Sequence, residues 1–229
     1  LESVYFTAVR PVDGFKWTSQ PEANFVDTNV NAKLKQMSIL PSEVCSDEIF
    51  VRRVSLDLTG LLPTVETTRA FLADDSKKKR AKLIDRLLAS EEHARFWAQK
   101  QADLMRVNAK LLLDGRADLL GSWIVDAFRE NKPYDQFARE VITASGDTRQ
   151  TAAANFFFAI ENTNDVTETT SQVFMGSRIN CAKCHNHPFE NWTQEDYYSI
   201  GAVFTRLKKD GDRIGVADSG EMSHPASGK

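Results

Sequence analysis

Apolar residues return every three or four positions along nearly the whole chain, and no sustained apolar–polar alternation marks a sheet. The pattern therefore predicts an all-α protein: an irregular multi-helix domain over residues 23–209, an extended segment over 1–22 and a loose tail or linker over 210–229. In the first segment Pro11, Gly14 and Pro21 break up any helix, while Tyr5, Phe6, Phe15 and Trp17 are expected to anchor it. A first helix is predicted from Phe25 to Leu40, stopped by Pro41, and a second behind Ser46, ended at Gly60. Thr64, Ser76 and Ser90 each look like the start of a further helix. The stripes Phe71/Leu72, Leu83/Ile84/Leu87/Leu88 and Trp97/Leu104/Val107/Leu111 supply the expected inner faces. Leu120/Trp123/Ile124/Phe128 and Tyr134/Phe137/Val141/Ile142 repeat the pattern on either side of an Asn131-Lys132-Pro133 break. The run 155–160 fits a short strand or a buried helical turn equally well. A helix over 165–179 is expected to run straight into the cysteine pair, and Thr193 to open a last one carrying Tyr197, Ile200, Phe204 and Leu207.

Composition narrows the class without naming a function. Apolar residues make up 41% and charged residues 27% of the 229 positions, an ordinary globular mixture. The formal net charge of −3 gives no basic field for nucleic acid, and the run Lys77-Lys78-Lys79-Arg80 reads as the solvated face of a helix. No apolar run approaches the roughly 18–20 residues that cross a bilayer. The chain opens on Leu1, so a processed or longer parent polypeptide is expected. Three cysteines make no disulfide framework, and Cys45, alone in sequence, reads as a small buried hydrophobe.

The chemistry sits in Cys181-Ala182-Lys183-Cys184-His185, the CxxCH signature of c-type haem attachment. Two thiols must reach two vinyl groups on one porphyrin edge, and the next residue must offer an imidazole to the iron. On this reading Cys181 and Cys184 bind one covalent haem c and His185 is the proximal iron ligand. Rival uses of the same residues stay open: a metal site formed by Cys181, Cys184, His185 and His187, a redox CxxC pair, or a purely structural one. His187 lies too close to His185 to reach the opposite haem face, so it reads as a residue at or behind the haem edge, a ligand to a different centre, or a hydrogen-bonding residue of the loop. Met175 starts only about 9 Å along a helix from the attachment point and is set aside as a distal ligand. Met105, His93 and His224 are far enough along the chain to be the distal candidates. The loop is expected to rest against Phe189, Trp192, Tyr197 and Phe204, whose rings would supply an apolar slot.

Longer strings carry a family resemblance over about residues 24–208. They are Arg52-Arg53 with 56–61 (LDLTGL) and Pro63-Thr64, Asp103-Leu104 with Arg106, 131–137 (NKPYDQF), and above all 174–198 with its CAKCHNHPFE core and Trp192-Thr193-Gln194. In these the chain resembles the planctomycete cytochrome-c-like domains, a family of unknown function with a c-type haem motif. Gln101 departs from the Trp expected there. The resemblance implies an exported or periplasmic protein of the bacterial envelope, usually part of a longer chain, and no established reaction.

Three function classes follow. The first is a c-type haem protein in electron transfer, whose partner is another envelope redox protein or an adjoining domain. The second is a haem- or metal-dependent enzyme, and the third a structural module in which a metal or disulfide locks the loop. No catalytic triad, phosphate loop or paired-carboxylate motif stands out. Glu190, Glu195 and Asp196 read as cap and surface carboxylates.

Overall fold

The computed structural model describes residues 12–225. The chain is mainly helical. Its first helix, α1 (Phe25–Gln36), is closed at the front by a capping box between Asn24 and Asp27 and buries none of its residues. It stops short of Pro41, in a turn where Ser38 takes a positive φ of 56°. The anchors Tyr5 and Phe6 lie outside the described residues, whereas Phe15 and Trp17 are half-buried.

Three helices form a small first layer: α2 (Asp47–Thr59), α3 (Val65–Ala73) and α4 (Lys79–Leu88). Val51, Phe71 and Leu83 meet in its centre, each worth about 1.5–3 kcal/mol when fully buried. Leu72 and Leu88, expected on inner faces, are exposed. The cationic run is only partly a solvated face. Lys79 and Arg80 pair with Asp47 at 2.7 and 2.8 Å, and Arg80 also donates to the carbonyl of Cys45. Those cations hold the Asp47 carboxyl below its usual range. Cys45 itself is half-buried rather than buried.

At the end of α2, Gly60 takes a φ of +71°, and a β-carbon there would come within 2.5 Å of the Phe96 ring. Glycine meets both demands, the left-handed backbone and the close approach. Phe96 belongs to α5 (Glu91–Leu104), capped by Ser90, which packs along α6 (Arg116–Arg129). The face of α5 that is buried is Ala94, Ala98 and Gln101, followed by Met105, and not the predicted Trp97/Leu104/Val107/Leu111 stripe. The helix ends at Leu104 and Arg106 turns left-handed (φ 59°), so Val107 and Leu111 never share its face. Small side chains let α6 approach closely, leaving the larger Trp97 and Leu104 on the outside.

Beyond the Pro133 turn, α7 (Tyr134–Ile142) buries Phe137 and Val141. The ambiguous run is a 3₁₀ helix, Ala152–Ala159, whose Phe156 and Phe157 lie at the middle of the main core. The last two helices are α8 (Thr163–Phe174) and α9 (Gln194–Ala202).

Within the segment expected to be loose, Asp210 and Arg213–Val216 lie in strands. Strands β1 (Gly146–Asp147), β2 (Leu207–Asp210) and β3 (Arg213–Val216) form an antiparallel sheet in the order β1-β3-β2. Ile214 is buried in the main core, and Asp212 pairs with Arg116 and, at 3.3 Å, Arg149. Strands this short, with one face exposed to water, leave too few residues for an alternation to register. No described helix is long and apolar enough to cross a membrane.

Candidate functional site

The cysteine motif does not continue α8. That helix stops at Phe174, and Gly176 turns the chain left-handed at φ +68° while Ser177 N–H donates back to the Ser171 carbonyl. A separate 3₁₀ turn, Asn180–Lys183, then carries Cys181, with Cys184 at its C-cap. Met175 is thus not on one helix with the motif, and it is exposed.

This turn sorts its side chains by spacing. Ile179 and Ala182 point inward and are fully buried with Tyr197, while Cys181, Cys184 and His185 stay exposed. The Cys181 carbonyl accepts from the Cys184 and His185 amides, both at 3.3 Å, so the two thiols and the imidazole leave one tight turn. Both thiols are free.

Three ties hold the turn from below and from the side. Asn180, next to Cys181, donates its amide to Glu168 on α8 at 2.8 Å. The other Glu168 oxygen accepts from the hydroxyl of Tyr197 on α9 at 3.0 Å, with Asn164 a second acceptor at 3.2 Å. Burial first, and the Glu168 carboxylate second, push the Tyr197 phenol well above its ordinary range. The Lys183 carbonyl, between the cysteines, accepts from the Gln194 amide (3.0 Å) and the Tyr198 hydroxyl (3.3 Å). The Asn186 side chain accepts from the Gln194 N–H at the start of α9, whose capping box joins Thr193 and Asp196. The Thr193 N–H and hydroxyl hold Asp196 below the usual carboxylate range.

His185 and His187 have opposite proton arrangements. The Nδ1 of His185 lies 2.8 Å from the Asn186 carbonyl, which can only accept, so that nitrogen carries the proton and Nε2 of the neutral ring keeps its lone pair. The Nδ1 of His187 faces the N–H groups of Phe189 (3.3 Å) and Glu190 (3.0 Å), which can only donate, so its lone pair is already used. The backbone N–H of His187 closes the same loop onto the Trp192 carbonyl at 2.8 Å. His187 is therefore a staple of loop 187–192.

The expected ring slot is formed only in part. Trp192 and Tyr198 pack around buried Tyr197, but Phe189 is 83% exposed and Phe204 belongs to the main core. None of the principal cavities among the described residues is lined by Cys181, Cys184 or His185. Among those residues, no three His, Cys, Asp or Glu side chains stand close enough together to hold a metal ion. The four-ligand arrangement of Cys181, Cys184, His185 and His187 is not formed.

The distal candidates separate. Met105 is fully buried in the main core. His93 bonds the Leu58 carbonyl at 2.8 Å, where α5 meets α2. Only His224 stands beside the loop's own supports, its ring 5.3 Å from that of Tyr198 and its Nε2 4.0 Å from Glu195. Next to it Met222 packs on Gly201, where a β-carbon would overlap its sulfur. Sequence reasoning missed the Glu168 tie and the Gln194 clamp. The one local signal was polar residues (Asn180, Lys183, Asn186) flanking every motif position.

A family model described as PSCyt2, protein of unknown function (DUF1549), matches residues 25–209. No curated protein and no solved structure matches the chain.

Proposed function

The chain belongs to the PSCyt2 family of unknown function, and from that premise we propose that Cys181 and Cys184 carry one haem c covalently, with His185 as an iron ligand. The observation that carries the reading is the 181–185 turn. It exposes both thiols and orients an imidazole whose Nδ1–H is engaged by a backbone carbonyl, the arrangement that fixes a metal-binding histidine with Nε2 free. In attachment, each cysteine sulfur bonds a vinyl carbon and the thiol hydrogen passes to the neighbouring carbon, so nothing is oxidised or reduced. When bound, the haem supplies one-electron redox chemistry. The chain's residues hold and orient: Glu168 and Gln194 fix the turn, and His187 fixes the loop behind it.

The proposed role is electron transfer in the bacterial envelope, with another envelope redox protein or an adjoining domain as partner. Bacteria attach c-type haem outside the cytoplasmic membrane, so the reading includes export and accords with the resemblance to the planctomycete domains. A surface loop without an enclosing cavity suits exchange with a partner better than retention of a small substrate.

Protein produced in a host that matures c-type cytochromes tests this. The denatured chain is expected to keep its Soret band and to gain the mass of one haem, and Cys181→Ala/Cys184→Ala to lose both. His185→Ala should abolish the native iron spectrum. Colour extracted by acid–acetone, leaving an unmodified mass, refutes covalent attachment. A low-spin spectrum supports electron transfer, and an open high-spin iron shifts the reading toward catalysis.

A further inference from the structure

A second site lies in the helical body, on residues that the haem proposal does not use. A cavity of about 420 Å³ opens between α5, the end of α6 and the start of α7. This is near the small end of the range for ligand pockets, about 300–1,000 Å³. Its apolar wall is Ala127, Phe128 and Phe137, and Pro133 and Tyr134 stand at its more exposed side. Phe137 is 4% exposed and held by stacking on Trp123 at a centroid distance of 4.9 Å. Tyr134 is pinned by donating its hydroxyl to the Val173 carbonyl at 2.9 Å.

Gln101, Asn131 and Lys132 break the apolar character, and of these Gln101 is the buried one. Gln101 is 9% exposed, and its side-chain amide nitrogen lies buried with no hydrogen-bond partner in the protein. Buried amide donors are nearly always paired, so an unpaired one on a cavity wall marks where an acceptor belongs. Charge is balanced here. Lys132, the charged lining residue, pairs with Glu140 at 2.5 Å and lies over the Trp123 ring. A carboxylate ligand would have to compete with Glu140 for that ammonium group.

We propose that this cavity binds a small uncharged aromatic molecule bearing a carbonyl group, its ring against Phe128 and Phe137 and its oxygen accepting from the Gln101 amide. The rings give the apolar contact and the buried, unpaired Gln101 donor sets the orientation, Asn131 on the same wall being exposed to water.

The experiment compares acetophenone with ethylbenzene, which matches its ring and size without the carbonyl, by titration into the ¹⁵N-labelled full chain. Acetophenone is expected to bind saturably, moving the Gln101 side-chain NH₂ resonance, and to bind roughly 2- to 10-fold more tightly than ethylbenzene, the scale of one net hydrogen bond. Gln101→Leu, which keeps bulk but removes the donor, should bring that ratio to about one. Gln101→Trp should fill the cavity and abolish both interactions. No saturable movement of the Gln101 resonance overturns the proposal, and this wild-type result decides it even if a variant misfolds. Preference for the ketone surviving in folded Gln101→Leu overturns it equally.

Discussion

Tyr197→Phe removes one oxygen from the tie beneath the cysteine turn and leaves the ring in place. Tyr197 is fully buried, and its hydroxyl donates to Glu168, whose second oxygen holds Asn180 beside Cys181. A hydrogen bond to a charged group contributes about 1.5–3 kcal/mol. Losing this one should therefore destabilise the protein by about 2 kcal/mol at pH 7, or roughly 4–8 °C in Tm for a chain of this size. The pH dependence gives a second signature. Burial and the neighbouring carboxylate raise the native phenol, so between its ordinary value near 10 and the raised one the unfolded chain gives up a proton that the native chain keeps. The Tyr197 contribution is thus fully present below about pH 10 and is lost as pH rises further. Urea unfolding of both proteins from pH 7 to 11 should show a difference of about 2 kcal/mol that narrows above pH 10. A difference under about 0.5 kcal/mol at pH 7, or one that does not change with pH, would refute the buried tie.

His187→Ala removes the acceptor of two loop amides and should lower stability by about 1 kcal/mol; His187→Asn, able to accept the same bonds, should restore most of it, with iron ligation intact in both. Loss of ligation in His187→Ala but not in His185→Ala would reverse the two roles. Gly60→Ala should cost about 2–4 kcal/mol, the sum of left-handed strain and displacement of Phe96, whereas Gly115→Ala, at φ +78° in open space, should cost about 1–2 kcal/mol in chemical denaturation. Glu91 joins α5 to α6 through Arg129, whose hydrogen bonds lower its carboxyl to about 2. Its stabilising effect is present above the unfolded value near 4.3 and lost as pH falls to about 2, so Glu91→Gln should flatten the thermal-stability profile over that interval.

The helix boundaries that sequence reasoning located are those with a chemical marker. Thr64, Ser90 and Thr193 cap because a hydroxyl close to the backbone can accept from an N–H three residues on, and Gly60 stops α2 because only glycine takes that turn without strain. The failures share a cause, because periodicity counts apolar residues without knowing the shape of what they meet. Along α5 the sequence offers a large stripe and a small one, and the neighbouring α6 selects Ala94, Ala98 and Gln101. Gln101 therefore enters the core, where no reading of polarity would place it. Gly176 lies inside the expected 165–179 helix and instead ends α8. The β2–β3 hairpin depends on Ile214 reaching a core assembled from residues some sixty positions earlier, among them Phe156 and Phe157.

The structure of the cysteine turn bears on how the proposed attachment would work. The turn rests on its own small cluster, Ile179, Ala182 and Tyr197, distinct from the main core around Phe156 and Ile124 and linked to it through Ile200. Its polar ties run to neighbouring elements, α8 through Glu168 and α9 through Gln194 and Tyr198. A group grafted onto Cys181 and Cys184 would therefore load a locally closed unit and leave the main core untouched. Local units open independently of global unfolding, so stabilisation by a bound group should concentrate in the amides of 179–202 and be small in α5 and α6. The same closure orients His185 without any bound group. Its ring is oriented by a carbonyl one residue away, in a loop that His187 already holds shut. If His185 binds iron as proposed, a ring positioned in advance would lose little freedom on coordination.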